Sequence, residues 1–329
     1  MTIPPIYAYT SLNFFSDIDE RYLYFRSARE ALTFLLKTLK IDVALIPSYT
    51  CPTVIEAINS SDSIYDFIDL DSNLDFKKDD LEYMIDFYNG KKIALIPTTL
   101  FNAPIRDYKK LYPKLTVIED LAQSTPIYKQ SSDFAIYSFG KSKFISSFGG
   151  GVLEGEIDKK PYENLAESCT FIQDYLANIA TQTLLKYGWS LLLKRYQKLS
   201  DKEYLFHKIE PKRICDIKKR WINSLLKGFN PSHRIKISDL YLNSVKKDKL
   251  FDLKKDRPYL RMPIKKLVDI PEVSFMKPYR VVYELALKKR TKKLEIAELL
   301  AKNCTFFPTH ELVNEKDVEN FATMIDKVQ

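Results

Sequence analysis

Residues 133–152 read DFAIYSFGKSKFISSFGGGV. The run FAIYSF (134–139) has the apolar, β-branched and aromatic character of a buried strand. Two lysines, Lys141 and Lys143, follow it, and then three consecutive glycines, Gly149, Gly150 and Gly151. The whole chain has only 8 glycines, yet five of them (these three with Gly140 and Gly155) fall between positions 140 and 155. Glycine costs backbone entropy, so this clustering implies a backbone that must pass close to a neighbour or take an unusual conformation. A lysine just past a buried strand suits Schiff-base chemistry, because a desolvated amine loses its proton more readily. A solvated surface lysine is the plainer reading of either one alone.

Working outward, four more short apolar runs precede this stretch: VALIP (43–47), IYDFIDL (64–70), IALIP (93–97) and TVIED (116–120). Between them AREALTFLLKTLK (28–40) and TVIEAIN (53–59) carry helical periodicity. Alternating strands and helices predict an α/β fold with a mostly parallel sheet covered on both faces. Ligands of such sheets bind beyond the carboxyl ends of the strands, which directs attention to the residues after each run. Past Glu156 the character changes to long helical patterns running to about Tyr196, followed by a basic, irregular stretch. RPYLRMPI (257–264) reads as a strand and 281–302 as one helix. A last helix follows, with Asn314 and Asp317 as its cap.

The 329 residues, 45% hydrophobic and 29% charged, describe an ordinary globular chain with room for a large and a small domain. Cys51, Cys169, Cys215 and Cys304 are far apart and form no CxxC pair, so neither a zinc site nor a disulfide is expected, and a reducing cytoplasmic setting fits. Three histidines and no HExxH motif argue against a histidine-based metal site. The amino-terminal residues lack a basic start and a sustained apolar run, so no signal peptide is expected. Residues 171–196 are the most membrane-like, but Gln173, Asp174, Asn178, Gln182 and Lys186 interrupt them, and a buried or dimer-facing helix is expected, with no membrane insertion. The net charge of +8 is uneven, −4 over 1–155 and +12 over 156–329. A basic half attracts nucleic acid, anionic lipid or a phosphorylated small molecule. No nucleic-acid recognition motif accompanies it, so solvated helix faces account for most of this charge and no nucleic-acid partner is expected.

Three segments carry candidate chemistry. In FRSAREAL (25–32) Ser27 and Glu30 form a capping-box pattern at a helix start, where free amides and the adjacent Arg29 make an anion site. In VIEDLAQS (117–124) Asp120 ends a strand at the ligand edge of the sheet, with Gln123 three residues on; an acid there also serves as a helix cap. SFGKSK (138–143) then supplies the lysines.

In this order the segments resemble the DegT-type nucleotide-sugar aminotransferases, a family of fold-type I pyridoxal-phosphate (PLP) enzymes. The family's E-D-x-A-Q motif is matched by EDLAQ and its S-F-x-x-x-K motif by SFGKSK before FGGG. PSYTCPT (47–53), LFNAP (100–104) and the tail FPTHELVNEKDVENF match further. The likeness is best over 20–155 and the last twenty or so residues, and poor over 156–255. It implies a three-layer large domain over 1–230 and a smaller α+β domain over 231–329. It implies Lys143, not Lys141, as the catalytic lysine that bonds PLP, with Lys141 facing phosphate or solvent. Asp120 would meet the pyridine nitrogen and Gln123 the ring hydroxyl, while Ser138, Ser27, Ala28 and Arg29 would hold the phosphate and the glycines form the turn behind the cofactor. It also implies a homodimer that moves an amino group from glutamate to a nucleotide-linked keto-sugar, in cell-surface polysaccharide or antibiotic-type amino-sugar biosynthesis.

The sequence departs from the family at Ala28 and Arg29, where Gly-Thr is common. It departs again at Cys51, where an aromatic ring often stacks on the cofactor, with Tyr49 nearby but facing the other side of an extended segment. NPSHR (230–234) matches loosely a segment that reaches the partner subunit's cofactor, aligning Arg234 and putting Ser232 in place of an asparagine. A sugar dehydratase of the same family has histidine for the lysine, so Lys143 argues against it. A non-catalytic, regulatory relative is the alternative these departures keep open.

Overall fold

A computed structural model describes residues 16–124, 131–140, 143–186, 208–268, 279–290 and 293–327. Its larger sheet has nine strands in the order β3-β2-β4-β5-β6-β7-β1-β9-β8. These are β1 (Tyr22–Phe25), β2 (Val43–Pro47), β3 (Ile64–Ile68), β4 (Ile93–Leu95), β5 (Thr116–Asp120), β6 (Phe134–Ser138), β7 (Gly151–Gly155), β8 (Glu167–Ser168) and β9 (Arg213–Ile214). From β3 to β6 every pairing is parallel, while β7 and β1 run antiparallel to their neighbours. All five apolar runs are strands, and the fold is the α/β arrangement anticipated.

VALIP reads as an uninterrupted apolar run because both its faces are covered. Ala44 and Ile46 enter one core, and Val43 and Leu45 enter another on the opposite face. Helices α1 (Ala28–Leu39) and α2 (Pro52–Asn59) pack on the first of these faces and on each other. Thr33 joins them, its hydroxyl reaching Arg29 O at 2.9 Å and Ala57 O at 3.1 Å. Helices α3 (Lys78–Phe87) and α4 (Tyr108–Leu111) cover the other face, and α5 (Lys160–Glu163) and α6 (Phe171–Lys186) follow β7.

The carboxyl-terminal part comprises α7 (Asp216–Gly228), α8 (Ser232–Ser244), β10 (Arg261–Ile264), α9 (Arg280–Arg290), α10 (Glu295–Lys302), β11 (Thr305–Pro308) and α11 (Glu315–Lys327). β10 and β11 pair as a separate antiparallel sheet. The helix expected over 281–302 is two helices, with Leu294 at the non-helical start of the second. The last helix begins as read. Asp317 N–H donates to Asn314 Oδ1 at 3.0 Å, and Asn314 N–H donates to Asp317 Oδ2 at 2.9 Å.

The cysteines correct the sequence reading. Cys169 and Cys215 form a disulfide, their Cα atoms 5.2 Å apart, and Cys51 and Cys304 are free. The cause is register: β8 and β9 pair in parallel with Glu167 opposite Arg213 and Ser168 opposite Ile214, so the next pair along is Cys169 and Cys215. A separation of 46 residues hides that adjacency. The thiol argument for a reducing compartment therefore does not hold. No helix among the described residues is long and apolar enough to cross a membrane.

Candidate active site

A cavity of about 790 Å³ opens where β5 and β6 end and α1 and α2 begin. It is lined by Ser27, Ala28, Arg29, Cys51, Asp120, Ser138 and Lys143, so seven of the eight residues singled out in the sequence converge on one space. Gln123 is the eighth and lies beneath this surface. It is buried, and its Oε1 accepts a hydrogen bond from Phe101 N at 3.0 Å. Lys141 lies outside the described residues.

Asp120 ends β5 in the middle of the sheet, and its carboxylate is nearly sealed from water. Ala122 N–H donates to Oδ1 at 3.0 Å and the Thr98 hydroxyl donates to Oδ2 at 3.3 Å. Burial pushes its pKa up, and the Ala122 amide, the Lys143 charge and the Thr98 hydroxyl oppose that rise. Lys143 therefore acts on Asp120 across the cavity. Its backbone is held by a turn in which Lys143 N–H donates to Gly140 O at 3.1 Å.

The start of α1 forms the opposite end. Ser27 is extended, and its Oγ accepts from Glu30 N at 3.3 Å as the cap. The reciprocal half of a capping box is absent. The Glu30 carboxylate instead accepts from Arg26 Nε at 2.7 Å, Ser27 Oγ at 3.3 Å and Lys212 N at 2.9 Å. First-turn amides have no partner inside their helix, so this end of the cavity attracts anions. Arg29 adds a guanidinium, with Nη1 at 2.7 Å from Oε2 of the buried Glu56 on α2.

The glycines explain how that end is held. A Cβ on Gly151 would lie 2.3 Å from Ala28 N and from Ser27 C, so only glycine allows β7 to touch the first turn of α1. Gly150 has a φ of +115°, and its N–H donates to Arg26 O at 2.8 Å. The close approach is to the helix start. Behind it, the buried Lys218 of α7 reaches the Ser147 carbonyl and, at 2.7 Å, Asp174 Oδ2. Ile222 of the same helix lies against Gly150.

Four lining residues escaped sequence reading: Lys208, Ile209, Glu210 and Tyr279. They come from short segments without a periodic or motif signal. Tyr279 lines the cavity near Cys51. Its ring sits 5.4 Å from that of buried Tyr49, and its N–H donates to the Tyr49 hydroxyl at 3.4 Å. Tyr49 is not among the lining residues, in keeping with its expected orientation. Arg234 is buried, held by Glu311 at 3.2 Å and stacked over Phe144, so within this chain it does not project outward. Ser232 is the first residue of α8. LFNAP joins the two sheets. Phe101 and Asn102 take left-handed φ of 57° and 72°, Asn102 Nδ2 donates to Pro258 O at 2.8 Å, and Leu260 N–H donates to Phe101 O at 2.9 Å.

No family model and no curated protein matches the sequence. Solved structures do match. A Bacillus cereus protein assigned as a PLP-dependent aminotransferase is 15% identical with a TM-score of 0.67, over 99% of this chain and 100% of that one. PseC of Helicobacter pylori, an aminotransferase in the biosynthesis of pseudaminic acid, is 16% identical with a TM-score of 0.64, over 93% and 86%. A mutant of the GDP-4-keto-6-deoxymannose-3-dehydratase ColD, solved with GDP-perosamine, is 14% identical with a TM-score of 0.61, over 92% and 88%. This chain has the three-layer α/β fold of those PLP-enzyme structures.

Proposed function

We propose that the chain is a PLP-dependent aminotransferase that moves an amino group from glutamate to a nucleotide-linked keto-sugar. The observation that carries the reading is the meeting of Asp120, Ser138, Lys143 and the α1 start on one cavity. Those residues fit the cofactor chemically. A carboxylate that burial makes costly suits a protonated ring nitrogen. A helix start beside Arg29 suits a phosphate. A cavity of about 790 Å³ is also ample for a small cofactor and part of a substrate. When bound, PLP supplies a ring that withdraws electrons from the carbon next to the transferred nitrogen.

The chain's own residues then have distinct tasks. Asp120, fixed by Ala122 N–H and Thr98, would accept the ring N–H and favour its protonated form. Ser27, Ala28, Arg29 and Ser138 hold the phosphate end. Lys143 would hold the cofactor and, when free, would serve as the base and then the acid for the proton on the substrate carbon. Gln123, beneath the cavity, keeps the 100–102 turn in place through Phe101 N. Cys51 lines the wall where a stacking ring is common, with Tyr279 beside it.

The basic carboxyl-terminal half favours a nucleotide diphosphate as the handle of the acceptor. PseC, an aminotransferase of pseudaminic acid biosynthesis, and ColD, a GDP-4-keto-6-deoxymannose-3-dehydratase, support a nucleotide-linked keto-sugar as that acceptor. We place the reaction in the cytoplasm with that substrate, in the building of cell-surface or antibiotic amino sugars. The exposed residues Ile172, Leu176 and Ile179 share one face of α6, which supports a homodimer. Sedimentation at a single mass of one chain would count against it.

The test is an absorbance titration of the purified chain with PLP, then with L-glutamate. A visible band at roughly 410–430 nm that glutamate bleaches is the expected result, and Lys143→Ala should lose both the band and turnover. PLP that binds without the band, or a Lys143→Ala chain with unaltered turnover, would leave the non-catalytic, regulatory reading as the better one.

A further inference from the structure

The sealed interior beside the cavity holds a cation that nothing in the aminotransferase reading uses. Arg261 begins β10 and is 5% exposed. Its Nε is buried without a hydrogen-bond partner, and no carboxylate among the described residues pairs with its guanidinium. The groups that act on it are Tyr279, Tyr49 and a second cation, Arg234. Arg234 is already matched by Glu311. Burial pushes both phenols up, so Tyr49 and Tyr279 stay neutral near pH 7 and do not balance the charge. An isolated buried charge is costly to the fold, and such a group persists where a ligand repays it.

Tyr279 gives the direction from which that ligand comes. Tyr279 lines the cavity, as does Cys51; its ring packs on that of Tyr49, and both phenols act on Arg261. A guanidinium fork matches a planar carboxylate with two parallel hydrogen bonds. One carboxylate neutralises one guanidinium, whereas a phosphate dianion would leave a buried charge over. The phosphate end, at α1, belongs to a different wall. We infer that Arg261 receives a carboxylate of the amino donor, with the phenols of Tyr49 and Tyr279 as its neutral flanks. This inference rests on the aminotransferase reading for the donor's identity, but not for the anion site itself.

Two measurements separate the site from the reading. Calorimetric titration of the chain with glutarate, a dicarboxylate with no amine, reads the site alone. The Arg261→Met chain should bind glutarate at least about tenfold more weakly, the loss of one charge-assisted hydrogen bond. Arg261→Lys, which keeps the charge without the fork, should fall between the two. In the PLP-loaded chain, Arg261→Met should raise the glutamate concentration for half-maximal bleaching by a similar factor while PLP affinity stays unchanged. Removing an unpaired buried charge should also leave the melting temperature equal or higher, whereas a structural arginine would lower it. Glutarate binding that depends on Arg261 in a chain that never takes PLP would uphold the anion site and sink the aminotransferase reading. Glutamate and glutarate responses identical in wild type and Arg261→Met would overturn the inference.

Discussion

The cavity wall at α1 and the buried layer beside Tyr279 treat their arginines differently. At the α1 end Arg26 is matched by Glu30 and Arg29 by Glu56, and Gly151 brings β7 onto the helix start within touching distance. Beside Tyr279, Arg261 is buried among phenols and a second arginine, with no carboxylate of its own among the described residues. The first wall is balanced before any ligand arrives. The second, on our inference, is completed by one. On the proposed reading, this arrangement separates an organised phosphate end from a charge that a transient substrate settles, as an enzyme that keeps its cofactor and exchanges its substrates requires.

The sharpest way to break the comparison is Gly151→Ala. A methyl group 2.3 Å from Ala28 N cannot be absorbed by a side-chain shift, so β7 and α1 must part. We expect a loss of at least about 3 kcal/mol in denaturant unfolding, with collapse of PLP binding. An unchanged midpoint would mean that the close approach is not what holds the α1 end.

Next in size is the brace behind that wall. The Cys169–Cys215 bond joins the entry to α6 to the start of α7, whose Lys218 and Ile222 support Ser147 and Gly150. Opening a loop of 46 residues by reduction should cost about 2–4 kcal/mol on the chain-entropy argument. Thiol counting under denaturing, non-reducing conditions should find Cys51 and Cys304 alone. Four reactive thiols would show that the register adjacency does not lead to a bond.

Asp120→Asn tests whether the floor between the two walls carries a cost that the cofactor repays. Its folded pKa is raised by burial, so its favourable contribution is complete below the unfolded value and is lost as pH rises through the folded one. The cofactor-free Asp120→Asn chain should therefore be more stable than wild type at neutral pH, and the gap should close on acidification below about 3.8, the ordinary value for the side chain. PLP should bind it more weakly. Equal stability at neutral pH would remove the burial argument.

The smallest effect is expected at Glu56→Gln. Arg29 is about a third exposed and can recover water, so losing the ion pair should cost only about 1 kcal/mol. Affinity for PLP should shift more than affinity for pyridoxal, which lacks the phosphate. Equal shifts for both would place Arg29 away from the phosphate.

Much of the site was legible in the sequence because it lies in contiguous motifs just past strands. Asp120 follows an apolar run in EDLAQ, Lys143 follows another in SFGKSK, and Ser27 caps a periodic helix. Strand ends in a parallel sheet share one edge, so positions far apart in the chain become neighbours by topology alone. Gln123 shows the limit of motif reading, since spacing located it but only packing revealed that its side chain serves Phe101. The glycine cluster likewise announced a close approach without saying to what.

The sequence by itself determined the alternation of strands and helices, the capped start of α1 and the placing of the acid and the lysine at strand ends. These are local matters of periodicity, propensity and side-chain chemistry. The tertiary structure alone decided which charges are paired. Glu56 meets Arg29 across two helices, Cys169 meets Cys215 through strand register, and Arg261 is left beside Tyr279, a residue no motif marks. Pairing and burial are properties of the three-dimensional neighbourhood, and no spacing rule along the chain encodes them.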